Sequence, residues 1–203
     1  MDVCLLNFNL IKHPLKDGSC FLSLLGMFLF RGENMNYKKK KIILYHGTNE
    51  KFEKPRVDKS KLLNDFGKGF YLTSNFKQAK RMAERKVTTK IAKGNIPYVY
   101  KFELNIDQAK NNLNILYLKA NSKWSKFVLE NRTKFVSTEA DIIIGPTADG
   151  TLFDTIYRWQ HDKITIEEAV GKLKPKFYSL QYCIKTNNGL RYLKYLDIIN
   201  VKE

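Results

Sequence analysis

Lys41-Ile42-Ile43-Leu44-Tyr45-His46-Gly47-Thr48 and, after a short gap, Asp65-Phe66-Gly67-Lys68-Gly69-Phe70-Tyr71-Leu72-Thr73 are the two stretches on which the reading of this chain turns. The first is an apolar strand over residues 41–45 that runs into a glycine able to turn sharply, which sets His46 at a strand end. The second is a glycine-punctuated loop that enters a short aromatic strand. Ser74 or Asn75 is placed to cap a helix directly after it.

Working outward, the helix is expected over residues 76–92, where Phe76, Ala79, Met82 and Ala83 fall at helical spacing and read as core. Residues 98–106 alternate apolar and polar side chains, the signature of a half-buried strand, and 115–118 is a second short strand. A helix over 122–131 gathers Trp124, Phe127 and Val128 on one face, and 141–145 is a buried strand ending at Pro146. Residues 152–160 and 166–173 read as a helical pair, the second opened by a Thr165/Glu168 capping box and ended by Pro175. Strands at 180–185 and 195–201, separated by a helical turn at 190–193, close the chain. The pattern is α+β, with many short strands and peripheral helices.

The 203 residues, 43% hydrophobic and 13% aromatic, suffice for one well-buried core and are few for two domains. Lys and Arg number 36 against 20 Asp and Glu, and the resulting +16 favours phosphate-bearing partners, although a solvated Lys-rich surface is the simpler reading. Cys4, Cys20 and Cys183 are too few and scattered for a disulfide framework or metal knuckle, which points to a reducing cytoplasm. No apolar run of about 18 residues exists, so no membrane partner is expected. Residues 20–30 have the length of a signal-peptide core, but Arg31 follows without the small residues of a cleavage site. The codons for Arg31-Gly32-Glu33-Asn34 would resemble a ribosome-binding site just before Met35. Residues 1–34 are therefore read as a non-native N-terminal extension, with a genuine helix or signal as the alternative, and residues 35–203 as the single domain.

Taken together, the two opening stretches resemble the first two NAD-binding motifs of the ADP-ribosyltransferase superfamily, in the branch of the poly(ADP-ribose) polymerases and diphtheria toxin. Residues 124–132, 141–149 and Gln181-Tyr182-Cys183 further resemble a bacterial family of uncharacterised proteins in that clan, extending the likeness over 41–196. The resemblance implies a split two-sheet α+β fold with NAD in a cleft between the sheets and His46, Tyr71 and Gln181 converging there as the catalytic set. By the same resemblance His46 would hydrogen-bond the adenosine ribose, Gly47 would present its backbone to the nicotinamide carboxamide with Thr48 assisting, and Tyr71 would lie against the nicotinamide ring. Gly67, Gly69 and Thr73 complete the expected NAD-binding set. Gln181 stands where the best-known members carry Glu, so it could orient a ribose hydroxyl without supplying charge. Arg132 could meet a phosphate, and Asp141 reads as a carboxylate hydrogen-bonding loop amides.

The resemblance implies mono-ADP-ribosyl transfer from NAD to a protein or nucleic-acid acceptor, with a role as the toxin of a toxin–antitoxin or defence pair and hence a cognate antitoxin as a further partner. A catalytically silent NAD- or nucleic-acid-binding module and an NAD glycohydrolase are the alternatives. No metal-site, P-loop or Ser-His-Asp motif is found, and NAD, as substrate, is the only cofactor expected.

Overall fold

The computed structural model describes residues 41–60, 63–89, 94–134 and 136–202, and these belong to one compact unit, Lys38–Glu203. The reading of 1–34 as an extension lies outside the described residues. Among the described residues, seven strands and six helices follow in the order β1 (Ile42–Thr48), β2 (Phe70–Thr73), α1 (Phe76–Thr88), β3 (Tyr98–Leu104), α2 (Ile106–Asn112), β4 (Ile115–Tyr117), α3 (Ser122–Thr133), β5 (Ile142–Ala148), α4 (Leu152–Gln160), α5 (Ile166–Lys172), β6 (Pro175–Ile184), α6 (Asn187–Leu190) and β7 (Leu193–Asn200).

The strands form one mixed sheet ordered β4-β5-β6-β2-β1-β3-β7. Where two sheets were expected, pairing is continuous. It is thin at one place, however: β1 and β2 share a single register pair, Tyr45 with Thr73, whereas β1 and β3 pair over the full length of both strands. The sheet is pinched between a β7-β3-β1 half and a β2-β6-β5-β4 half.

Alternation along the strands divides the core between the two faces. Leu44, Phe70, Leu72, Tyr100, Phe102, Ile142, Ile144, Tyr182 and Ile184 point to one side, where Ile106 and Ala109 of α2 join them. Tyr71, Ile143 and Cys183 point to the other and pack with Phe66, Trp124, Val128 and Leu129, Leu152 of α4 and Ala169 of α5. Trp124 is fully buried and donates its indole N–H to the Pro146 carbonyl at 3.0 Å.

Several boundaries move for local reasons. Helix α1 stops at Thr88, short of the expected 92, where the Thr88 and Thr89 hydroxyls turn back onto the Glu84 and Arg85 carbonyls. Strand β3 ends at Leu104 because Asn105 caps α2, its side chain accepting from the Gln108 amide, so Ile106 begins a helix instead of finishing a strand. Strand β5 runs through Gly145 and Pro146 to Ala148; its pairing with β4 covers only Ile142 to Ile144, so the missing proline N–H interrupts no ladder there. Strand β6 starts at Pro175, five residues before the expected 180, α6 ends where the helical turn at 190–193 was expected to begin, and β7 starts at Leu193. The Thr165/Glu168 capping box is present.

Candidate functional site at the pinched β1–β2 junction

Near the end of β1 the His46 ring stacks on Phe70 at 4.5 Å between centroids and meets the edge of Phe52 at 5.8 Å. Its Nδ1 lies 2.7 Å from the Tyr71 carbonyl oxygen, spanning the gap where β1 and β2 no longer pair. A carbonyl only accepts, so Nδ1 carries the proton. Burial, reinforced by the nearby Lys86 ammonium, pushes His46 down to about 3. The ring is therefore neutral at physiological pH and Nε2 is a bare acceptor, suited to a hydroxyl donor. Beyond Phe52 lies an open groove of about 430 Å³ lined by Lys51, Phe52, Glu53, Tyr100, Tyr195 and Ile198. The Tyr100 hydroxyl fixes its wall by accepting from the Phe52 amide and donating to the Phe52 carbonyl.

Gly47 points to the opposite face, against α1, where an added Cβ would stand 1.9 Å from the Ala79 carbonyl oxygen. Its own carbonyl accepts from Lys86 Nζ at 2.8 Å. Burial lowers Lys86 to about 8. The hydroxyl of buried Thr48 accepts from the Glu50 amide.

The loop before β2 is held on three sides. The Tyr71 hydroxyl donates to the Gly67 carbonyl at 2.6 Å and accepts from the Phe66 amide at 3.0 Å, and Lys185 Nζ donates to the Phe66 carbonyl. Gly67 has φ +71°, which favours glycine, and a Cβ there would meet Asn131 Oδ1 at 2.7 Å. At Gly69 a Cβ would meet Cys183 Sγ at 2.5 Å. The missing side chains of these two glycines thus make room for α3 and β6. Burial, with Cys183 alongside, holds the Tyr71 hydroxyl well above its ordinary value, and burial pushes the Cys183 thiol up to about 12.

Gln181 sits in mid-sheet, opposite Thr73 on β2 and Gly145 on β5. Its Nε2 donates to Asp65 Oδ2 at 2.8 Å and to the Pro146 carbonyl at 3.3 Å. Asp65 Oδ1 accepts from Arg132 Nε at 2.8 Å and Nη2 at 2.6 Å. Beside this chain, Thr73 donates to Gln78 Oε1 while accepting from the Asn75 amide, and Gln78 reaches across to Thr147.

The junction brings His46, Gly47, Tyr71 and Thr73 onto neighbouring strands, with Gln181 on the next. Their side chains do not share one face. His46 lies with Phe70, whereas Tyr71, Thr73 and Gln181 point toward α1 and α3, so the three catalytic candidates come together on neighbouring strands but not on one face of the sheet. Arg132, read as able to meet a phosphate, is paired with Asp65. Asp141 accepts from the Asn114 amide and the Thr186 hydroxyl, in keeping with its expected role. Asp65, Gln78 and Lys86 carried no signal that singled them out: their partners lie on other elements, 116 residues away for Asp65 and Gln181. Among the described residues no group of three or more His, Cys, Asp or Glu is arranged for a metal ion, and no helix is long and apolar enough to cross a membrane.

No curated protein and no solved structure matches the chain. One family model does, over residues 42–195, a span that contains the whole junction from β1 through β6. The chain belongs to that family, described as a protein of unknown function, DUF3990.

Proposed function

We infer that the protein is an NAD-dependent mono-ADP-ribosyltransferase, with the pinch between β1 and β2 as the seam of a split sheet and NAD held along it. The observation that carries the reading is His46, a neutral imidazole fixed across the seam with Nε2 available to accept from a ribose hydroxyl. The aromatic groove one ring beyond it suits the adenine end of the dinucleotide. In the reaction the bond from ribose C1′ to the pyridinium nitrogen breaks and its electron pair leaves with nicotinamide. The cationic ribosyl carbon is captured by a nucleophile on the acceptor, which gives up a proton. Gln181 Oε1 would accept from a hydroxyl of the reacting ribose.

A catalytically silent binding module is the second reading. It is favoured by the engagement of both the Tyr71 hydroxyl and the Gln181 amide nitrogen in internal bonds. Transfer of label from NAD to macromolecules of a cell extract separates the two. Labelling by the parent that His46→Ala abolishes supports the transferase, and nuclease or protease sensitivity of the product gives the acceptor class. NAD binding without labelling or nicotinamide release supports the silent module, and nicotinamide release without labelling would mean hydrolysis.

A further inference from the structure

Asp65 and Gln181 are both buried, at 4% and 8% exposure, and they come together from opposite ends of the domain. With Asp65 Oδ2 and the Pro146 carbonyl both on its nitrogen side, the Gln181 amide has one satisfactory orientation, because turning it over would set Oε1 against two acceptors. Oε1 forms no hydrogen bond to the described residues. Arg132 closes the chain by gripping Asp65 Oδ1 with two nitrogens, which leaves Oδ2 to the glutamine and, at 3.5 Å, to the Ala148 amide. A carboxylate donates electron density through such a bond. An amide whose N–H binds an anion becomes a better acceptor at its carbonyl, an effect strengthened where water is excluded.

We propose that Asp65 is a positioning residue for the ribose-binding amide of Gln181: it fixes the direction of Oε1 and polarises it, so that an amide and a buried carboxylate together take the place of a single acidic side chain. The inference rests on the ADP-ribosyl-transfer reading. It also gives Arg132 a task other than phosphate binding, namely holding Asp65 in register.

Nicotinamide release from NAD in the presence of cell extract, and thermal unfolding, are measured on the full chain for the parent, Asp65→Asn, Gln181→Glu and the double variant. With Asp65→Asn the position-65 amide offers a donor to Gln181 Nε2, so the glutamine turns over; kcat per folded molecule falls about tenfold or more while KM for NAD stays within about twofold. Gln181→Glu alone sets two carboxylates together in a buried place and lowers the Tm. Adding Asp65→Asn supplies a donor to the new carboxylate, so the double variant has a higher Tm than Gln181→Glu and regains turnover. A parent active on NAD whose Asp65→Asn variant keeps kcat within about twofold overturns the positioning role and leaves the transferase reading standing, as do Tm changes that simply add. A folded parent that leaves NAD intact even in the presence of cell extract overturns the transferase reading and this inference with it.

Discussion

At Gly47 a single added methyl group would meet backbone on the facing element: 1.9 Å from the Ala79 carbonyl oxygen, 2.9 Å from the Ala79 carbonyl carbon and 3.0 Å from the Ala83 nitrogen. Neither side yields by a rotamer change. Ordinary contact requires α1 to withdraw from β1 by roughly 1.5 Å, and that helix holds Phe76 edge-on to Tyr45, buries Ala79 and Ala83 and delivers Lys86 Nζ to the Gly47 carbonyl. Overpacking of this kind typically costs about 1–3 kcal/mol, and rigid backbone on both sides puts Gly47→Ala at about 3 kcal/mol or more, a large share of the 5–15 kcal/mol that holds a typical domain folded. Urea unfolding followed by tryptophan fluorescence measures the loss. Gly150→Ala is the control, since nothing lies within 4 Å of its added Cβ, and it should change stability by no more than about 0.5 kcal/mol. A Gly47→Ala protein as stable as the control but unable to bind NAD would refute the packing argument and return the glycine to a ligand-side role.

Three further outcomes follow from the same geometry. His46 is held neutral down to about pH 3 in the folded protein, whereas in the unfolded chain it takes up a proton near pH 6.5; stability is therefore intact above pH 6.5 and falls as pH drops toward 3, by up to about 1.4 kcal/mol per unit. His46→Gln, measured across the same pH series, should remove that component, and an unchanged pH dependence would contradict the buried neutral imidazole. The Cys183 thiol, pushed up to about 12 and packed against Gly69, should resist thiol reagents at pH 8 until denaturant is added, and rapid labelling of the native protein would show the loop before β2 to be open. Trp124→Phe removes the indole donor to the Pro146 carbonyl in a fully buried position and should cost about 1–3 kcal/mol in unfolding free energy, with no loss indicating that water replaces the bond.

Much of the fold is legible locally. Alternation in YVYKFEL and the unbroken apolar Ile142-Ile143-Ile144 declare strands, and the Thr165/Glu168 pair declares the start of α5. Asn105 misleads because a capping residue after an alternating run looks like the run's next polar position. The joining of all seven strands into one sheet is hidden too, since it depends on the Tyr45–Thr73 pair that brings two halves together, a contact no local pattern encodes. At the site, the residues with motif-like surroundings (His46, Gly47, Gly67, Gly69 and Tyr71) are found in the sequence, but not what their surroundings do. The glycines pack against helix and strand backbone or side chains, and the bond from Gln181 to Asp65 forms only once β6 is folded against the loop before β2.

Quantifying free nicotinamide after mixing the purified full chain with NAD, with and without cell extract and beside His46→Ala and Gln181→Ala, tests the central claim most directly. Nicotinamide that appears with the parent, rises with extract and falls at least about tenfold in both variants is the predicted result. NAD left intact by a folded parent in the presence of extract would contradict the claim, and release equal in parent and both variants would place the chemistry elsewhere on the molecule.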